Sequence, residues 1–216
     1  MRFSFKRILF VLTFSTVALA PKTYAQETHI QDATLEGYEF CTVCHGSQLM
    51  GNQNILAPRL SGLPAWYVER QLKNFKLGIR GKHTEYGPGL EMQNISVELN
   101  ENEIPDIAKW VSQTSSPPAP STIIGDSELG QNLYQVCSAC HGVNGEGNEA
   151  LNAPPLAGID DWYLVAQIKN FRDGLRGANP KDQYGAQMKA FVASIKSDDD
   201  INNLVSYINQ LTKPKR

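Results

Sequence analysis

Cys41-Thr42-Val43-Cys44-His45 and Cys137-Ser138-Ala139-Cys140-His141 decide how this chain is read. The second motif is the first displaced by 96 positions, from Cys41 to Cys137. The same displacement carries Pro58 onto Pro154, Leu60 onto Leu156 and Trp66-Tyr67 onto Trp162-Tyr163. It also carries Gln71-Leu72-Lys73-Asn74-Phe75 onto Gln167-Ile168-Lys169-Asn170-Phe171, and Gly78, Arg80 and Gly81 onto Gly174, Arg176 and Gly177. Met92 falls on Met188. One offset explains all of these matches, so a unit of about 90 residues is used twice. The Ser/Pro-rich stretch around Ser112–Ser121 reads as a semi-rigid connection. The expected organisation is a first unit at 26–115, a linker at 116–124 and a second unit at 125–216.

Inside each unit the apolar periodicity is helical. Val68, Leu72 and Phe75 recur at steps of four and three, as do Leu164, Ile168 and Phe171. Gly78 and Gly174 stop those helices. A last helix is expected from Glu101 to Gln113, with Ile104, Ile107, Ala108 and Val111 on its core face. Its counterpart runs from Asp198 to Leu211, with Ile201, Leu204, Val205 and Ile208. Ser197 with Asp200, and Asn100 with Glu103, look like capping boxes. Pro105 sits early in its helix, where a missing N–H costs least. No alternating run is long enough to predict a sheet, so the fold class is all-α.

Composition narrows the function. The 216 residues carry 20 Lys plus Arg against 22 Asp plus Glu, with no basic excess for nucleic-acid binding. With 41% hydrophobic and 19% charged residues, the chain is globular in composition. Arg2, Lys6 and Arg7 precede an apolar run from Ile8 to Ala20, the build of a secretory signal peptide at 1–25. That run is shorter than the roughly 20 residues of a membrane helix, and no later segment could span a bilayer. Cleavage is expected after Ala25; Ala20 is the competing site and would leave Pro21 at the new terminus. Removal of Arg2, Lys6, Arg7 and Lys22 leaves 16 bases against 22 acids, a formal −6 that favours partners with a basic docking face. Acids concentrate at Glu98, Glu101, Glu103 and Asp106, and at Asp198, Asp199 and Asp200. The first unit is the more acidic, and a basic redox partner is expected to dock there.

Two thiols three residues apart, followed at once by His, form the signature of covalent haem attachment. The thiols Cys41 and Cys44, and Cys137 and Cys140, reach the vinyl groups as thioethers, and His45 and His141 then stand beneath the two irons. A zinc site joining both pairs would bridge from Cys44 to Cys137, far beyond ordinary zinc spacings. A redox-active disulfide would be expected with a βαβ pattern, which is absent. Two covalent haem c groups are therefore the expected cofactors, and export fits haem attached outside the cytoplasm. The second unit contains one Met, Met188, and no His besides His141, so Met188 is its only soft or imidazole sixth ligand. The first unit offers Met50, Met92 and His83, plus His29 in its leading stretch. Met92 stands where Met188 stands, while Met50 is only five residues past His45. Pro58 and Pro154 follow their histidines by 13 residues, with carbonyls free to accept the second ring N–H.

On these residues the chain resembles the tandem di-haem c-type cytochromes of the cytochrome c4 family. The resemblance spans essentially all of the chain after the leader. It rests on the doubled CxxCH sites, Pro-x-Leu turns, W-Y-x-x-x-Q-[LI]-K-N-F helices and distal methionines. It implies two tandem class I cytochrome c domains, each with three to five helices around a covalent haem, related by a pseudo-twofold with haem edges close together. It also implies a periplasmic carrier that passes single electrons between respiratory-chain components, such as a quinol–cytochrome c reductase and a terminal oxidase, and is not itself an enzyme. No membrane span is expected, which leaves room for peripheral association. A cytochrome subunit of a multi-component dehydrogenase is the alternative; a haem enzyme or sensor would need one Met not to bind. One departure stands out: Gly130 lies seven residues before Cys137, but Thr34 holds the matching place before Cys41.

Overall fold

The computed structural model describes residues 38–81 and 87–211. The leader, His29, Thr34, His83 and the basic tail residues Lys213, Lys215 and Arg216 lie outside the described residues. Eight α-helices are described, four per half, in a repeated order. They are α1 (Phe40–His45), α2 (Ala65–Lys76), α3 (Pro88–Glu98), α4 (Ile104–Gln113), α5 (Ser127–His141), α6 (Asp161–Arg172), α7 (Gln183–Val192) and α8 (Asp198–Ile208). Among the described residues there is no sheet, only single bridges between Asn52 and Ala57 and between Asn148 and Ala153. The fold is all-α, as the periodicity requires. No described helix is long and apolar enough to cross a membrane.

The expected core stripes are the observed ones. Ile104, Ile107, Ala108 and Val111 of α4, and Ile201, Leu204, Val205 and Ile208 of α8, are all buried. α2 buries Val68, Leu72 and Phe75, and α6 buries Leu164, Ile168 and Phe171. Gly78 and Gly174 follow these helices at φ 63° and 78°, where a side chain would be strained. Ser197 caps α8 by accepting from Asp200 N–H at 3.0 Å. The first-half counterpart differs. α4 begins at Ile104 rather than Glu101, and it is the Glu103 carboxylate that accepts from Asn100 N–H at 3.0 Å. Residues 101–103 form a turn, and α8 likewise ends at Ile208, short of Leu211.

In the second half α5 crosses α8 at Gly130, where a Cβ would stand 2.0 Å from Asn203 O. This explains a glycine at that place in a helix. The described part of the matching first-half helix, α1, has six residues.

The described residues belong to one compact unit, Asp32–Arg216. Its two halves are joined by arginines. Arg59 pairs with Asp160 in a buried ion pair, Nε to Oδ1 at 3.3 Å. Arg70 donates to Asn152 Oδ1 at 2.7 Å and lies over the Trp66, Tyr67 and Tyr184 rings. The connection between the halves is fastened at both ends. Arg59 donates to Ser116 Oγ and to Pro117 O, the latter at 2.8 Å. Asp161 accepts from Thr122 Oγ1 and Ile123 N–H, each at 2.8 Å. Burial would push the Asp161 carboxyl up, but the backbone N–H groups of Ile123 and Thr122 outweigh it and hold the carboxyl below its ordinary range.

Candidate haem sites

Each CxxCH closes a helix. α1 and α5 both end on their histidine, and Gly46 and Gly142 turn the chain out at φ 81° and 82°. His45 and His141 are each 4% exposed. His45 Nδ1 donates to the Pro58 carbonyl at 2.7 Å, and His141 Nδ1 donates to the Pro154 carbonyl at 2.7 Å. A carbonyl can only accept, so the proton sits on Nδ1 in both rings and Nε2 presents a bare lone pair. Burial lowers both imidazole pKa values, partly offset by these carbonyls, and keeps Nε2 available as a ligand. Prolines 58 and 154 therefore occupy the acceptor position expected of them.

A cavity of about 420 Å³ lies against His45. Cys41, Cys44 and Met92 line it together with apolar side chains such as Leu63, Leu72 and Phe75. Met92 is carried by α3, while Met50 is 36% exposed. In the second half Met188, carried by α7, places Sδ 3.5 Å from His141 Nε2. The thiols of Cys41 and Cys137 are pushed up to about 11 by burial, and all four cysteines are free of disulfides. Among the described residues no three His, Cys, Asp or Glu side chains cluster as a metal site. The donor set is thus two thiols, one imidazole and one thioether per half. That set suits an iron porphyrin better than a bare ion.

The polar rim of the cavity fits the same group. Arg80 donates to Gln71 Oε1 at 2.7 Å within its own half, and to Tyr163 Oη at 2.8 Å and Gln167 Oε1 at 3.2 Å across the interface. Arg176 mirrors it, reaching Gln167 Oε1 at 2.9 Å in its own half, and Gln71 Oε1 at 3.0 Å and Tyr67 Oη at 3.3 Å in the other. Both arginines line the cavity, and the buried Nε of Arg176 has no hydrogen-bond partner among the described residues. Burial raises the Tyr67 phenol, but Arg176 and Arg80 outweigh it and hold it below its ordinary value. A rim of cations beside an apolar cavity matches a flat apolar ring with anionic substituents. The repeat alignment marked Arg80 and Arg176, but not their crosswise contacts. Arg59 and Asp160 have no matching pair in the other half and gave no sequence signal.

Similarity to known proteins agrees. A Cytochrome c family model matches residues 33–115 and 127–212. The "Thiosulfate dehydrogenase electron acceptor" of Stutzerimonas stutzeri (strain A1501) is 32% identical over 181 residues, 77% of this chain and 76% of that one. "Cytochrome c4" of Azotobacter vinelandii is 29% identical over 187 residues, 79% of this chain and 84% of that one. The crystal structure of reduced recombinant cytochrome c4 from Pseudomonas stutzeri superposes with a TM-score of 0.67 at 26% identity, covering 83% of this chain and 97% of that one. Two family domains, each with its own CxxCH, carry two covalent haem c groups: the chain belongs to the cytochrome c family as a di-haem, cytochrome c4-like electron carrier.

Proposed function

We propose that the protein is a periplasmic carrier that takes up and releases single electrons at two six-coordinate haems, without itself being an enzyme. The observation that carries this reading is the approach of Met188 Sδ to His141 Nε2, because an imidazole and a thioether from the same half would leave a haem iron no free position for O₂ or substrate. Cys41, Cys44, Cys137 and Cys140 are the thioether attachment points. His45 and His141 are the proximal ligands, each oriented by its proline carbonyl, and Met92 and Met188 are the distal ligands. Haem, once bound, supplies a one-electron Fe(III)/Fe(II) couple at each site. The chain's own part is to exclude water, fix the ligands and keep the rearrangement between oxidation states small. Residues 1–25 serve as the export signal. In acid acetone all haem should stay with the chain, at two per polypeptide, and no cysteine should alkylate. Extractable haem or reactive thiols would overturn the reading.

The donor and acceptor belong to one of two settings. A quinol–cytochrome c reductase on one side and a terminal oxidase on the other make a respiratory shuttle. A dedicated dehydrogenase makes an electron-accepting subunit, and the relative named for accepting electrons from thiosulfate dehydrogenase favours this second setting. Rapid reduction by such a dehydrogenase, against slow reduction by a quinol-fed reductase, would decide for it.

Docking is proposed on the first half. Glu98, Glu101 and Asp106 are exposed and make no ion pair among the described residues. In the second half Asp198 is taken up by Lys169 at 2.6 Å and Arg172 at 2.9 Å. The freer acidic patch flanks Leu99, which lines the cavity. Electron transfer with a basic partner should slow as salt rises, and Glu101→Gln/Asp106→Gln should flatten that dependence. Stopped-flow rates indifferent to ionic strength would count against this docking face.

A further inference from the structure

Pro58 and Arg59 share one peptide unit, and both of its polar ends are engaged. The Pro58 carbonyl accepts from His45 Nδ1 at 2.7 Å. The Arg59 N–H donates to Asp160 Oδ2 at 2.8 Å. Asp160 belongs to the other half, 101 residues along the chain. Its remaining oxygen faces Arg59 Nε at 3.3 Å. Both side chains are almost wholly buried, Arg59 at 5% exposure and Asp160 at 4%. Gly51 leaves the carboxylate its path: a Cβ there would stand 2.6 Å from Asp160 Oδ2 and 2.7 Å from Arg59 N.

The second half cannot repeat this arrangement. Its Pro154 carbonyl accepts from His141 Nδ1 at the same 2.7 Å. The next residue, however, is Pro155, which has no N–H to offer a carboxylate. The position matching Asp160 is Pro64. Two sites alike in CxxCH, methionine spacing and proline carbonyl thus differ in what stands behind that carbonyl.

The difference has an electronic consequence. A carboxylate that accepts from a peptide N–H polarises the amide, and its carbonyl oxygen becomes the stronger acceptor. A stronger Nδ1–H···O bond gives the imidazole more anionic character and makes Nε2 a better donor to a metal. Better donation favours the oxidised iron. The Arg59 guanidinium offsets part of the charge but touches the carboxylate rather than the peptide.

We propose that Asp160 is a positioning residue for the opposite half: acting through the Pro58–Arg59 peptide, it lowers the reduction potential of the first haem relative to the second. The proposal rests on His45 being the ligand of that haem. Its test is redox titration of the di-haem protein, with the first haem taken as the wave that Met92→His displaces. Asp160→Asn should raise that wave by about tenfold in its oxidation equilibrium, about 59 mV for one electron, and leave the other wave in place. Because this change also strands the Arg59 charge, the deciding variant is Arg59→Gln/Asp160→Asn, which holds no unpaired buried ion. The rise should persist there. Arg59→Gln alone, with the carboxylate still on the peptide, should leave the wave where it is or lower it. A rise that disappears in the double variant, an equal rise in Arg59→Gln, or two waves unmoved by Asp160→Asn would each overturn the proposal. Absence of redox waves in the parent protein would instead overturn the haem reading beneath it.

Discussion

Met188→His should keep the second haem six-coordinate and lower its reduction potential by about 0.2 V, within the ~0.8 V range that axial ligands span. An imidazole nitrogen donates more strongly to Fe(III) than a thioether does, so the oxidised state gains most. The position is well placed for the exchange. α7 brings Sδ within 3.5 Å of His141 Nε2, and the histidine ring is already fixed by Pro154. The first haem should hardly respond, since its proposed ligands, His45 and Met92, come from α1 and α3. Met92→His should give the mirror result. Redox titration with optical detection separates the two waves, and the loss of the Met–Fe(III) absorption band identifies the altered haem. If Met188→His moves neither wave, the methionine is not the ligand. If only Met92→His fails, His83 becomes the first-half candidate.

Gly130→Ala should destabilise the second half by about 1–2 kcal/mol, although helix propensity alone predicts the opposite sign. Alanine is favoured over glycine inside a helix by about 1 kcal/mol. Against this stands contact with backbone rather than with a yielding side-chain tip: the added carbon would lie 2.0 Å from Asn203 O and 2.9 Å from Tyr207 Cβ. α5 would have to back away from α8, whose Ile201, Leu204, Val205 and Ile208 are all buried, and overpacking of this kind typically costs 1–3 kcal/mol. In a unit the size of Asp32–Arg216 each kcal/mol moves the melting temperature by about 2–4 °C, so a fall of several degrees is expected. Gln131→Ala, on the exposed side of the same helix, should stay within about 0.5 kcal/mol of the parent. Thermal unfolding followed by circular dichroism checks both, and an unchanged Gly130→Ala would mean the crossing is looser than described.

The elements that were legible in the sequence are those whose partners are other parts of the same half. The α4 and α8 stripes announce themselves because an apolar face must repeat every 3.6 residues to stay against a neighbour. α3 and α7, which carry the two methionines, announced no helix. Their apolar residues are not confined to a buried stripe: Ile95 is 37% exposed, Val97 49% and Phe191 52%. Met92 and Ile95 of α3 line the cavity, so part of that helix's apolar surface faces a prosthetic group rather than protein. As candidate ligands the methionines are legible in the sequence, Met188 by elimination and Met92 by the repeat offset. Asn100 and Glu103 have capping-box spacing, but they lie in the turn before α4, where only the Glu103 side chain bonds, to Asn100 N–H. The contacts between halves were beyond reach. Arg59 meets Asp160 across 101 residues, and nothing in the local pattern of either residue reveals the other.

The crosswise arginines have the form of a twofold joint. Arg80 reaches Tyr163 and Gln167, while Arg176 reaches Tyr67 and Gln71, so residue i of one copy meets residue j of the other and j meets i. That reciprocity is the defining property of an isologous dimer interface. A single ancestral unit bearing this tyrosine, glutamine and arginine would already have been self-complementary, and two free copies could pair before any linker joined them. Where Arg59 faces Pro155 in the repeat, and Pro64 faces Asp160, the copies have parted. The crosswise joint is symmetric in its residues, whereas the Arg59–Asp160 ion pair has no reciprocal pair among the described residues.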